Sequence, residues 1–488
     1  MDVNTQMNKQ LMLKQGAENL SRAAMHNVKI REVALVELNF VSSNLNLLKD
    51  ELSEINGTIL PYQNQKVTKL VPMIPIGLKD TKEVNYASAF KDFILEHYSE
   101  NGKKYEKEIN DLNNLRTACM TPARTEDGID LLLEYYNQLY YVDNRFFPPN
   151  RPLNVFMTWY DTLTGNPSVQ RTMAFERGAV LFNIGSLYTQ LGCRADRSAR
   201  QGVDESIDCF QKAAGYFSYI RLNFSNAPSM DMSHEFLNIL VNLNLAQAQE
   251  CRFEKRMLGG IEQRFAKYVA VSHEASKVAE KFSLVSKLMS MDPIREHIPY
   301  SWSTMVEVKS LHYKALSHWY FALALIENPG DAEASEVCEC LRNMYVMDSV
   351  QGWSAGLAVA TADIQSGQNR EKDPESYTIP QRPEEMGKRR KTRKLLGKAH
   401  LRQSIYLHEQ ALRIHMLCKL LRKLDLMHDF LLLAHERAVA RLARVQQKET
   451  VDDQGDLPDA PDIAPRVYDE AELMQPNFSK LKVNGHAF

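Results

Sequence analysis

The sequence of 488 residues has no catalytic signature. It contains no Gly-rich phosphate loop, no HExxH and no GxSxG, so nucleotide hydrolysis, zinc proteolysis and hydrolase chemistry have no support in it. None of its seven cysteines precedes a phosphate-cradling loop closed by arginine, which removes cysteine-phosphatase chemistry. Cys338 and Cys340 form the one close pair, and no second cluster supplies the four N or S ligands of a structural zinc site. His408 and His415, two turns apart, have no third ligand. No enzyme activity, cofactor or metal is therefore expected. An excess of one charge is also missing. With 59 Lys and Arg against 61 Asp and Glu the net charge is −2 and the pI about 6.7, far from the concentrated positive field that nucleic acid requires. The basic run KRRKTRK at 388–394 has no interleaved aromatics and reads as a solvated helix start. No window reaches the roughly 18 uninterrupted apolar residues of a membrane span, and the start MDVNTQMNKQ has no apolar secretion core. Cys119, Cys193, Cys209, Cys251, Cys338, Cys340 and Cys418 are scattered and odd in number, as buried thiols of a reducing cytosol are.

What the chain does have is apolar content, 44% of residues, and helical periodicity. Residues 28–55 carry the clearest repeat: Leu38, Val41, Leu45, Leu48, Leu52 and Ile55 alternate spacings of three and four, which keeps one seam facing a partner helix. The upstream partner is Leu13, Ala17, Leu20 and Ala24, and the link MHNVKI turns the two into an antiparallel hairpin. On the side opposite the seam, Val36, Phe40 and Leu47 form a second apolar stripe, the candidate surface for a protein partner. Asn56-Gly57 and Pro61 stop this helix, and residues 56–72 read as a connection.

Beyond the connection the apolar, proline-interrupted VPMIPIGL of 71–78 reads as a strand or extended edge. From Tyr86 helices dominate, with further ones at 261–290, 302–327 and 395–447. The centre of the chain is Tyr135–Ala214. Leu181, Ile184, Gly185 and Tyr188 on one helix face Ser206, Ile207, Phe210, Ala213 and Ala214 on the next, a pattern close to a tetratricopeptide hairpin with about nine extra residues between its helices. Glycine and alanine let the two backbones approach closely. Thr158-Trp159-Tyr160 restarts structure after Pro148, Pro149 and Pro152 with an aromatic anchor. Residues 350–387 read as an irregular loop, and the acidic, proline-rich tail of 451–488 as disordered.

The block LEYYNQLYYVDNRFFPPNRPLNVFMTWYDTLTG, with FERGAVLFNIGSLYTQLG, FQKAAGYFSYIR, LAQAQECRFEK, PYSW, LGKAHLR and the N-terminal GAENL, resembles the BRO-one domain family and more closely its rhophilin branch, of the rhophilin-two type. The resemblance covers roughly residues 10 to 450. It implies an all-α fold: an N-terminal antiparallel coiled-coil hairpin, a curved helical BRO-one domain with tetratricopeptide-like helices, and a small β element near that domain's start. The implied boundaries are a Rho-binding repeat at 8–60, the BRO-one domain at 70–450 and the tail at 451–488. It also implies a non-catalytic Rho-GTPase effector and adaptor in signal transduction and the actin cytoskeleton. Such a protein binds the GTP-loaded GTPase and is cytoplasmic, with perinuclear or endosomal association. Three departures from the family pattern are visible. A PDZ domain is not expected in the residues after Thr450. The first hairpin helix starts almost at Met1 and is shortened. The convex patch with which some BRO-one proteins bind an ESCRT-III helix falls near Arg252, Arg264 and Tyr268, where two charges would meet an apolar ligand. The alternative is an endosomal ESCRT-associated adaptor whose hairpin is purely structural.

Overall fold

The computed structural model describes residues 71–147, 153–224, 227–327, 383–447, 459–465 and 471–476, with single positions between 9 and 41. Ten helices and one two-stranded sheet are described beyond residue 70: α1 (Ala87–Tyr98), α2 (Glu106–Ala118), α3 (Glu126–Phe146), β1 (Met157–Tyr160), β2 (Pro167–Gln170), α4 (Met173–Arg194), α5 (Arg200–Asn223), α6 (His234–Met257), α7 (Phe265–Met289), α8 (Tyr300–Glu327), α9 (Pro383–Leu417) and α10 (Asp425–Gln447). The described residues form two compact units. The first comprises those up to Cys251, Val285–Ser303 and from Ala471 onward; the second comprises Arg252–Leu284 and Thr304–Glu470.

In the first unit, α4 is buried on nearly every side and packs most extensively against α5. Leu181, Ile184 and Gly185 are buried as their spacing requires, and so are Ser206, Phe210 and Ala213. Tyr188 is half-buried and stacks on Tyr216 at 5.7 Å. A Cβ on Gly185 would lie 3.1 Å from the Phe217 ring, and the Ser206 hydroxyl donates to the Gly192 carbonyl at 2.9 Å. The close approach of the two helices thus rests on a missing side chain and a buried hydroxyl with its acceptor.

The β structure differs from the sequence expectation. Residues 71–78 form no strand; the sheet is β1 with β2, antiparallel, pairing Trp159 with Ser168. The segment 71–79 does without a partner because helix side chains bracket its backbone. Gln247 accepts from the Ile74 N–H at 2.6 Å and donates to its carbonyl at 3.3 Å. Thr189 accepts from Ile76 N–H at 2.8 Å, and Gln190 donates to the Ile76 carbonyl at 2.8 Å. Asn183 does both for Lys79, at 2.7 and 3.1 Å. Buried amides that would otherwise be orphaned are paired in this way.

This unit also buries ions. Arg116 and Glu176, both fully buried, approach to 2.6 Å in a charge contact that is not an aligned hydrogen bond. Glu176 further accepts from the Tyr135 hydroxyl at 2.9 Å and the Trp159 indole at 2.6 Å. Lys79 pairs with Asp231, which also accepts from the Thr162 N–H at 2.8 Å and the Ser229 hydroxyl at 2.6 Å.

The second unit buries Lys309 and Lys398 and, in addition, a series of imidazoles. Helices α8 and α9 run antiparallel, with the Ser404 hydroxyl on the Ala315 carbonyl at 2.8 Å. The His318 and His400 Nδ1 atoms lie 2.7 Å apart, and the His312 and His408 rings are 5.3 Å apart. His415 continues the series toward His428 of α10 at 5.8 Å. His408 and His415 are therefore core residues. The α9–α10 hairpin breaks what the sequence reads as one helix over 395–447, and α9 begins at Pro383, within the span expected to be irregular. KRRKTRK lies on its helical backbone.

Candidate functional site

The residues expected to meet partners fall in two places, and the tail supplies a third set of contacts. Of the segment expected to form the N-terminal hairpin, the described positions between 9 and 41 are helical. Val41 is 1% exposed, and so is Ala34. Of the upstream stripe, Ala17 is buried, Leu13 and Leu20 are 43% and 47% exposed, and Ala24 lies outside the described residues. Lys14 pairs with Glu296. Val36, Leu38, Phe40, Leu45, Leu47, Leu48, Leu52 and Ile55 lie outside the described residues.

The second place is the patch. Arg252 on α6 is half-buried. Arg264 stands exposed just ahead of α7 and lies 3.7 Å from Glu262. Its carbonyl accepts the first α7 amides, Lys267 and Tyr268, at 3.1 Å each. Tyr268 is not a surface residue: it is buried in an apolar cluster with Phe265, Phe321, Leu325 and Leu396. Burial and the neighbouring Glu327 push its hydroxyl up from the ordinary tyrosine range.

The third place was not expected. The tail read as disordered packs at two stretches. In the second unit Ile463 enters the same cluster as Tyr268, with its carbonyl on the Ser276 hydroxyl at 2.7 Å. The Ala464 carbonyl meets His273 Nδ1 at 2.7 Å, and Asp462 pairs with Lys314 at 2.9 Å. In the first unit Ala471 joins Met73, Phe210 and Cys251, and its N–H donates to Gln249 at 3.0 Å. Gln211 donates to the Glu472 carbonyl at 2.6 Å. Gly215 is needed there because a Cβ would lie 1.7 Å from the Met474 carbonyl oxygen. The composition of the tail hides these anchors, since single apolar residues among acids and prolines give no periodicity. The signal that was available lies in the helices, where glutamines and serines sit at buried positions.

Burial pushes the thiols of Cys119 and Cys209 up to about 12, which keeps them protonated and unreactive. Among the described residues no group of three His, Cys, Asp or Glu is placed to hold a metal, and no helix is long and apolar enough to cross a membrane.

The chain matches the BRO1-like domain family over residues 73–429. It is 42% identical to Rhophilin-2-B of Xenopus laevis over 484 residues, 99% of this chain and 66% of that protein. Its identity to Rhophilin-2 of Homo sapiens is 42% over 485 residues, with the same coverage. To Rhophilin-1 of Homo sapiens it is 39% over 482 residues, 98% of this chain and 67% of that protein. The chain thus spans about two thirds of the length of these curated relatives. Among solved structures, an ALIX BRO1 complex with CHMP4C matches with a TM-score of 0.52 at 17% identity, over 84% of this chain and 99% of that one. A Bro1 domain solved as a structural basis for endosomal targeting matches with a TM-score of 0.51 at 19% identity, over 84% of this chain and 93% of that one. At those identities the likeness is one of fold.

Proposed function

The chain belongs to the BRO1-like domain family and, within it, to the rhophilins, and from that premise we propose that it is a Rho-GTPase effector and adaptor without catalytic chemistry. It holds the GTP-loaded GTPase on the helical hairpin of about residues 8–60 and presents its helical domain to signalling or cytoskeletal proteins. The observation that carries this reading is the reach of the alignment. The BRO1-like match begins at residue 73, whereas identity to Rhophilin-2 extends over 99% of the chain and so includes the segment with the heptad seam. Buried Ala34 and Val41 fit a seam that continues through Leu38, Leu45, Leu48, Leu52 and Ile55. Val36, Phe40 and Leu47, on the opposite face, would meet the GTPase. The test is a binding titration of the full chain against Rho loaded with a non-hydrolysable GTP analogue or with GDP. Preference for the GTP form, lost on Leu45→Asp with Leu48→Asp, is the expected result; equal binding of both forms, or of the double variant, rejects it.

A second reading, an endosomal ESCRT-associated adaptor with a structural hairpin, draws on the fold likeness to the ALIX complex with CHMP4C. Against it stand the cations Arg252 and Arg264 beside the patch and the burial of Tyr268 together with Ile463. A CHMP4C C-terminal peptide should bind weakly. Tight binding to the native chain, with no gain in Arg252→Phe with Arg264→Ile, would reverse the preference between the two readings.

A further inference from the structure

The turn between α9 and α10 combines exposed apolar side chains with exposed cations on a rigid support. Between Glu409 and Asp429 the sequence carries Arg413, Lys419, Arg422 and Lys423 against one carboxylate, Asp425. All four cations are exposed. Beside them Leu417 is 71% exposed, Met416 48% and Leu426 38%. The turn itself is pinned. Cys418, Leu421, Leu424 and Met427 are buried, the Arg422 N–H donates to the Cys418 carbonyl at 3.0 Å, and the Leu424 N–H donates to the Leu421 carbonyl at 2.9 Å. The exposed apolar side chains are therefore not the product of a frayed end. The wider segment 388–447 carries fifteen Lys and Arg against four Asp and Glu, in a chain whose overall charge is nearly balanced.

Large apolar side chains held in water are unfavourable unless something covers them part of the time, and the cations fix the sign of what does. A hydrated polyanion would use the four cations and leave Leu417 and Met416 wet. An apolar protein groove would take Leu417 and Met416 but would have to desolvate the cations around them. An anionic bilayer satisfies both, because its charged headgroups lie at the level where its acyl chains begin.

We propose that the α9–α10 tip docks on a membrane surface rich in anionic lipid, with Met416 and Leu417 entering the acyl boundary and Arg413, Lys419, Arg422 and Lys423 on the headgroups. This attachment is peripheral and independent of the GTPase reading. A Lys or Arg near such a surface strengthens binding about fivefold, so reversing three of them should weaken it roughly 100-fold or more.

The test is flotation of the full chain with vesicles of phosphatidylcholine alone or with phosphatidylserine added. The native chain should float with the serine-containing vesicles, stay behind with the neutral ones, and be released by raised salt. Lys419→Glu with Arg422→Glu and Lys423→Glu should abolish flotation, and Met416→Asp with Leu417→Asp should reduce it severalfold. All five side chains are exposed, so an unchanged circular-dichroism melt should accompany both losses. Neutralising KRRKTRK should leave flotation in place. Equal flotation with neutral vesicles overturns the proposal, and so does flotation that survives the triple reversal or fails in the native chain. Self-association that disappears in Leu417→Asp, without flotation, would assign the tip to a second copy instead.

Discussion

The two units differ in the polar side chains that dominate their interiors. The first buries full charges and gives each several partners, so that Glu176 faces Arg116, Tyr135 and Trp159 together. The second buries Lys309 and Lys398 too, but the commonest of its buried titratable groups are imidazoles, which can discard their charge. His312, His318, His400 and His408 are all buried, and His312 has neither ring nitrogen hydrogen-bonded. Burial holds His318 at about 3 and His408 at about 4, with Lys314 acting on the first and His435 on the second in the same direction. His312 and His400 are lowered as well, by burial first and then by His408 with Lys309 and by His318 respectively. Glu409 of α9, half exposed, lies 3.5 Å from His435. An ionic core fails when one member is removed; a neutral imidazole core fails when protons are added.

The largest effect should come from acid. A free imidazole titrates near 6.5, and these titrate lower in the folded chain, so the unfolded state takes up protons first. Stability of the second unit is complete above about pH 6.5 and declines as the pH falls from there toward the folded values. Several histidines acting together should withdraw several kcal/mol by about pH 5. Hydrogen exchange of α8, α9 and α10, corrected for intrinsic rate, should accelerate over that range. Exchange in α4 and α5, which contain no histidine, should lag behind it. Equal acceleration in both units would abolish the contrast.

Next in size is the ionic core. Glu176→Leu leaves Arg116 buried without its counter-charge and should cost about 3–5 kcal/mol, whereas Arg116→Met in the same chain should restore much of it. A double variant that melts no higher than the single one would show that the network acts through shape alone. Gly185→Leu tests helix packing without charge. Its side chain must displace the Phe217 ring, and a loss of roughly 1–3 kcal/mol is expected in thermal unfolding. The smallest change is Arg264→Ala. Its side chain is 73% exposed and its one ion-pair partner, Glu262, is 62% exposed, so the melting temperature should stay within error while any ligand of the patch responds.

Local spacing carried the helices. The α4–α5 pair was legible because glycine, alanine and aromatics recur at helical intervals, and α7 and α8 because their apolar runs are long. Long-range pairing was not legible. Nothing in VPMIPIGL announces that its hydrogen-bond partners lie over a hundred residues away in Thr189, Gln190 and Gln247. A short apolar, proline-interrupted run therefore read as a strand or extended edge. The patch residues were legible as a position but not as an environment: Tyr268 lies beneath an apolar cluster that includes the tail's Ile463, a contact between segments almost two hundred positions apart. The tip of α9 and α10 was hidden for a similar reason, since periodicity cannot separate a leucine that faces the core from one that faces water at a helix end.

The bracketing of residues 71–79 by side-chain amides moves the burden of sequence from the held segment to its holders. Gln247 and Asn183 each supply a donor and an acceptor to one residue's backbone. A carboxylate has the same outline and cannot donate. Asn183→Asp and Gln247→Glu, mild by any measure of chemical distance, should therefore be among the least tolerated exchanges in this unit, while Ile74 and Ile76 can drift among aliphatic residues of similar volume. Variation among descendants of this chain should then be read by which atoms a residue lends to its neighbour's backbone, with its own hydrophobicity a secondary guide.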